Sequence, residues 1–149
     1  MAKHFRGSRK QERALTAYVT LMRASETVHS EATRMLADCE LSASQFAVLE
    51  ALHHVGPMFL SELARKILKT SGNLTMVVDN LEKRGLARRV LSTEDRRYTR
   101  VEATPAGHKL IQKIFPTHAV KITELMSRLS ALEQDRLSAL CRKLGLADQ

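Results

Sequence analysis

Between Ser71 and Met76 the chain reads SGNLTM, and these residue types suit one kind of chemistry. On a helix whose apolar stripe is Leu74, Val77, Val78 and Leu81, the residues Asn73, Thr75, Met76, Asn80 and Lys83 fall on the opposite face. That face is polar without being heavily charged, as expected of a surface that hydrogen-bonds to base edges. Asn pairs with adenine through two bonds, Thr serves either base, and a methyl-bearing chain packs on thymine. Ser71, Asn73, Thr75 and Met76 are therefore the candidate base readers, and Ser71 also suits a helix N-cap. Catalysis finds no comparable support. The chain has no H-E-x-x-H, no G-x-S-x-G, no phosphate-binding glycine loop and no Cys-His pair with evident geometry, so neither catalytic residues nor a cofactor are expected.

Charge supports the same chemistry. The 149 residues carry 24 Lys+Arg against 16 Asp+Glu, a net +8 that points to a polyanionic partner. The excess is zoned: residues 1–23 balance to +5, 24–59 to −4, 60–100 to +5 and 101–149 to +2. The middle basic zone coincides with the candidate base readers. The N-terminal zone reads equally well as a solvated tail. Two cysteines, Cys39 and Cys141, make no disulfide framework, and a reduced, cytoplasmic protein is the default. No signal peptide, membrane span or membrane partner is expected, because no apolar run is long enough.

The elements that must position these residues follow from periodicity and caps. Few Gly and Pro favour long helices over many strands. Residues 9–38 read as one long helix. Ser42 and Gln45 form a capping box that opens a second helix, which stops at Gly56-Pro57. Leu60–Leu68 makes a short amphipathic helix, Lys69-Thr70 a turn, and Ser71 starts a helix ending at Gly85. Ala87–Ser92 and Tyr98–Ala103 read as a hairpin with a polar, basic tip. Thr104-Pro105 opens another helix that Pro116 should kink or interrupt. Ser130 and Glu133 cap a last helix, on whose apolar stripe Cys141 reads as inert core. The fold class is mainly α with a small β-hairpin wing: a winged helix-turn-helix at 41–104, flanked by a helical dimerisation region at 1–40 and 105–149. Long amphipathic helices need a partner for their stripes, and a second copy is the simplest one.

The stretch from Leu41 to Gly107 resembles the core of the MarR family of bacterial transcriptional regulators. LSASQF, LSELARKI, DNLEKRGL, the Asp95-Arg96-Arg97 wing and TPAG occur in the family's order and spacing. Ala103 departs from it, standing where the family usually has Leu. The resemblance implies a homodimeric, sequence-specific DNA-binding regulator, more commonly a repressor. It implies that Arg97 enters the minor groove while Asp95 holds its guanidinium. Lys69, Thr70, Arg89, Arg96 and Arg100 are then phosphate contacts, which set register rather than sequence. Two recognition helices spaced by one DNA turn imply a pseudo-palindromic operator of double-stranded DNA.

Family resemblance also implies a small-molecule effector, and the start of the recognition helix looks like members that answer phenolic or quinone compounds. Met22, Val28, His29, His53, Phe59, Phe115 and His118 are the candidate effector-binding residues, although His53 also reads as a packed histidine. Two other triggers fit the same fold. Cys39, near the end of the first helix, is the redox candidate. Six histidines raise metal sensing, but no pair has ligand spacing with a third ligand nearby, so no metal site is expected. The rival classes are an enzyme and a winged helix used for protein contacts; the basic wing speaks against the latter.

Overall fold

The computed structural model describes residues 7–67, 71–91 and 99–145. The order is α1 (Arg9–Thr33), a 3-10 turn (Arg34–Cys39), α2 (Ala43–Val55), β1 (Met58–Phe59), α3 (Leu60–Lys66), α4 (Ser71–Lys83), β2 (Ala87–Leu91), β3 (Thr99–Ala103), α5 (Pro105–Met126) and α6 (Ala131–Gly145). The chain divides into two compact units, Met35–Val120 and the pair Met1–Arg34 with Lys121–Gln149. It is a mainly helical winged helix-turn-helix with long flanking helices.

Met35–Val120 holds the large core. Phe46, Leu49 and Leu52 of α2, Leu63 of α3, and Leu74, Val78 and Leu81 of α4 pack with Val101 of β3 and Ile111 of α5, all almost fully buried. Each such side chain stabilises the fold by roughly 1.5–3 kcal/mol. The caps are those the sequence announces. Ser42 Oγ accepts from the Gln45 N–H at 3.1 Å, and Gln45 Oε1 accepts from the Ser42 N–H at 3.0 Å. Gly85, at φ 67°, ends α4, with the Leu86 N–H donating to the Leu81 carbonyl at 2.9 Å.

Thr104 fastens α5 to that same end of α4. Its hydroxyl donates to the Gly85 carbonyl at 2.7 Å and accepts from the Gly107 N–H at 3.1 Å. The three-stranded sheet has the order β1-β3-β2, both pairings antiparallel, with Arg89 opposite Val101 and Phe59 opposite Arg100.

In the other unit, the Gln134 side chain of α6 donates to the carbonyls of Met126 and Leu129, each at 3.0 Å, closing the turn between α5 and α6. Arg128 reaches Glu31 of α1 at 3.6 Å. Little is covered here: Ala32 and Leu125 are buried, and α6 buries nothing.

Three local expectations are corrected and one strand is added. The first helix stops at Thr33 and tightens into the 3-10 turn, which ends with Glu40 at φ 53°. The Glu40 carbonyl accepts from Arg84 Nη1 at 2.6 Å, so contact with the end of α4 meets a need the local sequence leaves open. Met58–Phe59 is a strand, made by pairing with β3. Pro116 does not interrupt α5, which runs on to Met126. Cys141 is half-buried on a helix that buries nothing, so it is not core in this chain.

Candidate nucleic-acid interface

The site is built on α4. Leu74, Val78 and Leu81 are fully buried and lock one face into the core. Asn73, Thr75 and Met76 are exposed, and Met76 keeps 66% of its surface open. A Met so exposed on a helix already anchored by its other face contributes nothing to that core. Ser71 begins α4, but its side chain lies outside the described residues, as do Lys69, Thr70, Asp95, Arg96 and Arg97.

Two basic candidates on the strands have partners. Arg89 ion-pairs with Asp79 of α4 at 2.7 Å and with Glu82, and its backbone N–H also donates to Glu82 at 2.7 Å. A phosphate contact from Arg89 has to compete with both carboxylates. Arg100 is half-buried, with its guanidinium 4.7 Å from the centre of the Phe59 ring. Arg88, which sequence reasoning passed over, pairs with Glu102 across the hairpin at 2.5 Å. Cross-strand register alone puts these two opposite each other.

The effector candidates separate. Met22 and His29 are exposed and Val28 half-buried on α1. His53, Phe59, Phe115 and His118 belong to the winged unit. There, Phe59 stands against Arg100, while the other three join a run of rings. His53 is 5.1 Å from His108 and 5.0 Å from His54, His54 is 4.7 Å from Phe115, and His118 lies 6.4 Å from Phe115 and 4.7 Å from Phe46. His53 Nδ1 and His108 Nδ1 stand 2.8 Å apart, a hydrogen bond whose direction depends on the tautomers of the two rings. Its pKa is lowered, first by desolvation and then by the positive charge that His108 and His54 acquire on protonation. Among the described residues, His118 Nδ1 is buried without a hydrogen-bond partner.

Sequence reasoning missed a cavity. About 380 Å³ opens between α2 and the end of α3, lined by Ala47, Glu50, Ala51, His54, Val55, Lys66 and Ile67. Glu50 and Lys66 sit on ordinary polar helix faces, so no local pattern distinguishes them. Cys39 is half-buried against the winged core. Among the described residues, no group of three His, Cys, Asp or Glu gathers to hold a metal, and no helix is long and apolar enough to cross a membrane.

Known proteins share this fold. The MarR family pattern matches residues 41–99. The HTH-type transcriptional regulator MhqR of Bacillus subtilis is 36% identical over 91% of this chain and 93% of its own length. BpsR of Bordetella bronchiseptica, whose DNA binding is regulated by 6-hydroxynicotinic acid, superposes with a TM-score of 0.77 at 27% identity, covering 87% of this chain and 98% of that one. A cysteine-to-serine mutant of MarR from E. coli, solved with operator DNA, shares the fold at TM-score 0.80 and 21% identity, over 89% of this chain and 96% of that one. An exposed polar face on α4, a buried opposite stripe and similarity along nearly the full length lead to one assignment: the chain belongs to the MarR family, whose members are DNA-binding transcriptional regulators and not enzymes.

Proposed function

We propose that this chain is a homodimeric, cytoplasmic repressor that reads a pseudo-palindromic operator and is released by a small aromatic effector. The observation that carries the reading is the division of α4: its apolar stripe is locked away, while Asn73, Thr75 and Met76 face outward. Ser71 reads with them. Lys69, Thr70, Arg96 and Arg100 hold phosphates, and Arg97, steadied by Asp95, enters the minor groove. A narrow A·T-rich minor groove attracts such an Arg by its enhanced negative potential.

The cavity between α2 and α3 supports the effector half of the reading. Among the described residues neither Glu50 nor Lys66 has an ion-pair partner, yet both line that one cavity beside apolar Ala47, Ala51, Val55 and Ile67. Its volume lies within the range of small-molecule sites, roughly 300–1,000 Å³. An aromatic ring with an acidic group for Lys66 and a donor for Glu50 fits this lining, and the aromatic acid named for BpsR is of that class. The wall belongs to the last turn of α3, so a ligand there acts next to the chain that leads into α4.

The test is iterated selection from random duplexes by the reduced protein at two salt concentrations. Recovery of a pseudo-palindrome with A·T-rich flanks, lost on Arg97→Ala, is the expected result. Hydroxylated aromatic acids should then release the duplex, less effectively from Lys66→Met. Binding that is salt-sensitive but shows no sequence preference sinks the reading.

A further inference from the structure

Arg89 stands in the middle of β2, which among the described residues is an outer strand of the sheet paired with β3. Three of its contacts cross to α4. Nη2 meets Asp79 Oδ1 at 2.7 Å, Nη1 meets Glu82 Oε2, and the backbone N–H donates to Glu82 Oε1 at 2.7 Å. Asp79 and Glu82 are three residues apart, so both carboxylates rise from one turn of the helix. All three side chains are partly shielded, at 29% exposure for Arg89, 47% for Asp79 and 29% for Glu82. One planar guanidinium thus grips two helix positions, and the same strand residue is tied through its main chain.

We propose that Arg89 is a positioning residue for DNA reading and not a phosphate contact. Resting on the DNA-reading function above, the inference is that Arg89 clamps β2 to α4. The face bearing Asn73, Thr75 and Met76 and the strand leading into the wing then meet DNA as one rigid piece. Charge argues for this division of labour. Arg89 with Asp79 and Glu82 sums to one negative charge, so a phosphate approaching the trio gains no net attraction. Geometry argues for it too. The stripe of Leu74, Val78 and Leu81 opposes exposure of that face, but apolar contacts are non-directional and leave small rotations cheap. A planar fork bonded to two carboxylates is directional and fixes the rotation.

The experiment uses the full chain, its selected operator and a random duplex, with binding measured across salt. For Arg89→Ala, the ratio of operator to random affinity should fall about tenfold, in line with loss of a coupled ion-pair network, while the salt slope stays unchanged. A phosphate contact predicts the opposite pattern: equal weakening on both duplexes and a slope shallower by about one unit. Arg89→Lys sharpens the contrast. Lysine serves a phosphate well but cannot bridge two carboxylates, so under the clamp it restores little of the ratio.

The paired change Asp79→Asn with Glu82→Gln separates the two by sign. Under the clamp it lowers the operator-to-random ratio despite the loss of two negative charges. If Arg89 is a phosphate contact, it frees the guanidinium, and operator binding tightens with the ratio kept. Hydrogen exchange reads the clamp without DNA. Amides of β2 should exchange faster in Arg89→Ala, and unchanged exchange overturns the clamp even if the operator is confirmed. A wild-type chain that shows no operator preference while Arg89→Ala still speeds β2 exchange overturns the DNA-reading function and the positioning role resting on it, leaving a structural clamp alone.

Discussion

His53 and His108 place their Nδ1 atoms 2.8 Å apart, joining α2 to the first turns of α5. One nitrogen must donate and the other accept, so the contact cannot survive protonation of both rings. The pKa of His53 is lowered from 6.5, chiefly by desolvation and then by His108 and His54. A lowered folded-state pKa means the unfolded chain binds the proton more readily. The stability this pair contributes is therefore present above pH 6.5 and is lost as pH falls through the lowered value. Thermal melts between pH 7.5 and 5 should show a steeper fall in Tm for the wild type than for His108→Asn. Parallel curves would show that the pair does not matter to stability.

Gly107 is held to glycine by close approach. A Cβ there would stand 2.1 Å from the Leu86 carbonyl oxygen, which already accepts from the Thr104 N–H at 3.1 Å. Backbone cannot swing aside as a long side chain does. Gly107→Ala is expected to destabilise the winged unit by about 1–3 kcal/mol, the range typical of overpacking, and to lower Tm by several degrees. Gly72→Ala is the control, because among the described residues nothing lies within 4 Å of a Cβ there. Equal Tm changes in the two variants would contradict this account.

What the sequence made legible was local. The Ser42–Gln45 box, the i, i+3, i+4, i+7 stripe of α4, Gly85 and the Thr104-Pro105 start each act within one turn, and each stands where periodicity puts it. The misses are tertiary. Met58–Phe59 is too short to alternate and becomes a strand because β3 lies beside it. Arg89 looks like any basic residue of a basic zone, since its acidic partners lie on another element. The cavity depends on how α2 and α3 diverge, which no spacing encodes. The outward placing of Asn73, Thr75 and Met76 was legible because it follows from the periodicity of α4 alone.

The exposed leucines of α6 make a testable claim about assembly. Leu137, Leu140 and Leu144 follow helical spacing, with 65% of Leu140 and 72% of Leu144 open to solvent, while Leu15, Tyr18 and Met22 are exposed to a lesser degree on α1. Water contact at so many apolar side chains is costly unless something covers them. A second copy is the proposed cover. Leu140→Glu with Leu144→Glu should shift sedimentation from dimer to monomer while the far-UV spectrum stays helical. Operator affinity should fall as the second half-site is lost. A wild type that sediments as a monomer at micromolar concentration rules out the dimer in solution.

Asn73 offers the cleanest separation between reading a base and holding a phosphate. It is exposed at the start of α4, the helix whose opposite face is immobilised by Leu74, Val78 and Leu81, so truncating it should leave the fold unchanged. Asn73→Ala removes hydrogen bonds to a base but no charge. Its loss should cost about 1–3 kcal/mol on the selected operator, with no change in the salt slope. The random duplex should bind as before. Repeating the selection with the variant should relax one position in each half-site and leave the others intact. A uniform loss on operator and random DNA alike would move Asn73 from the base-reading set to the backbone-contacting set.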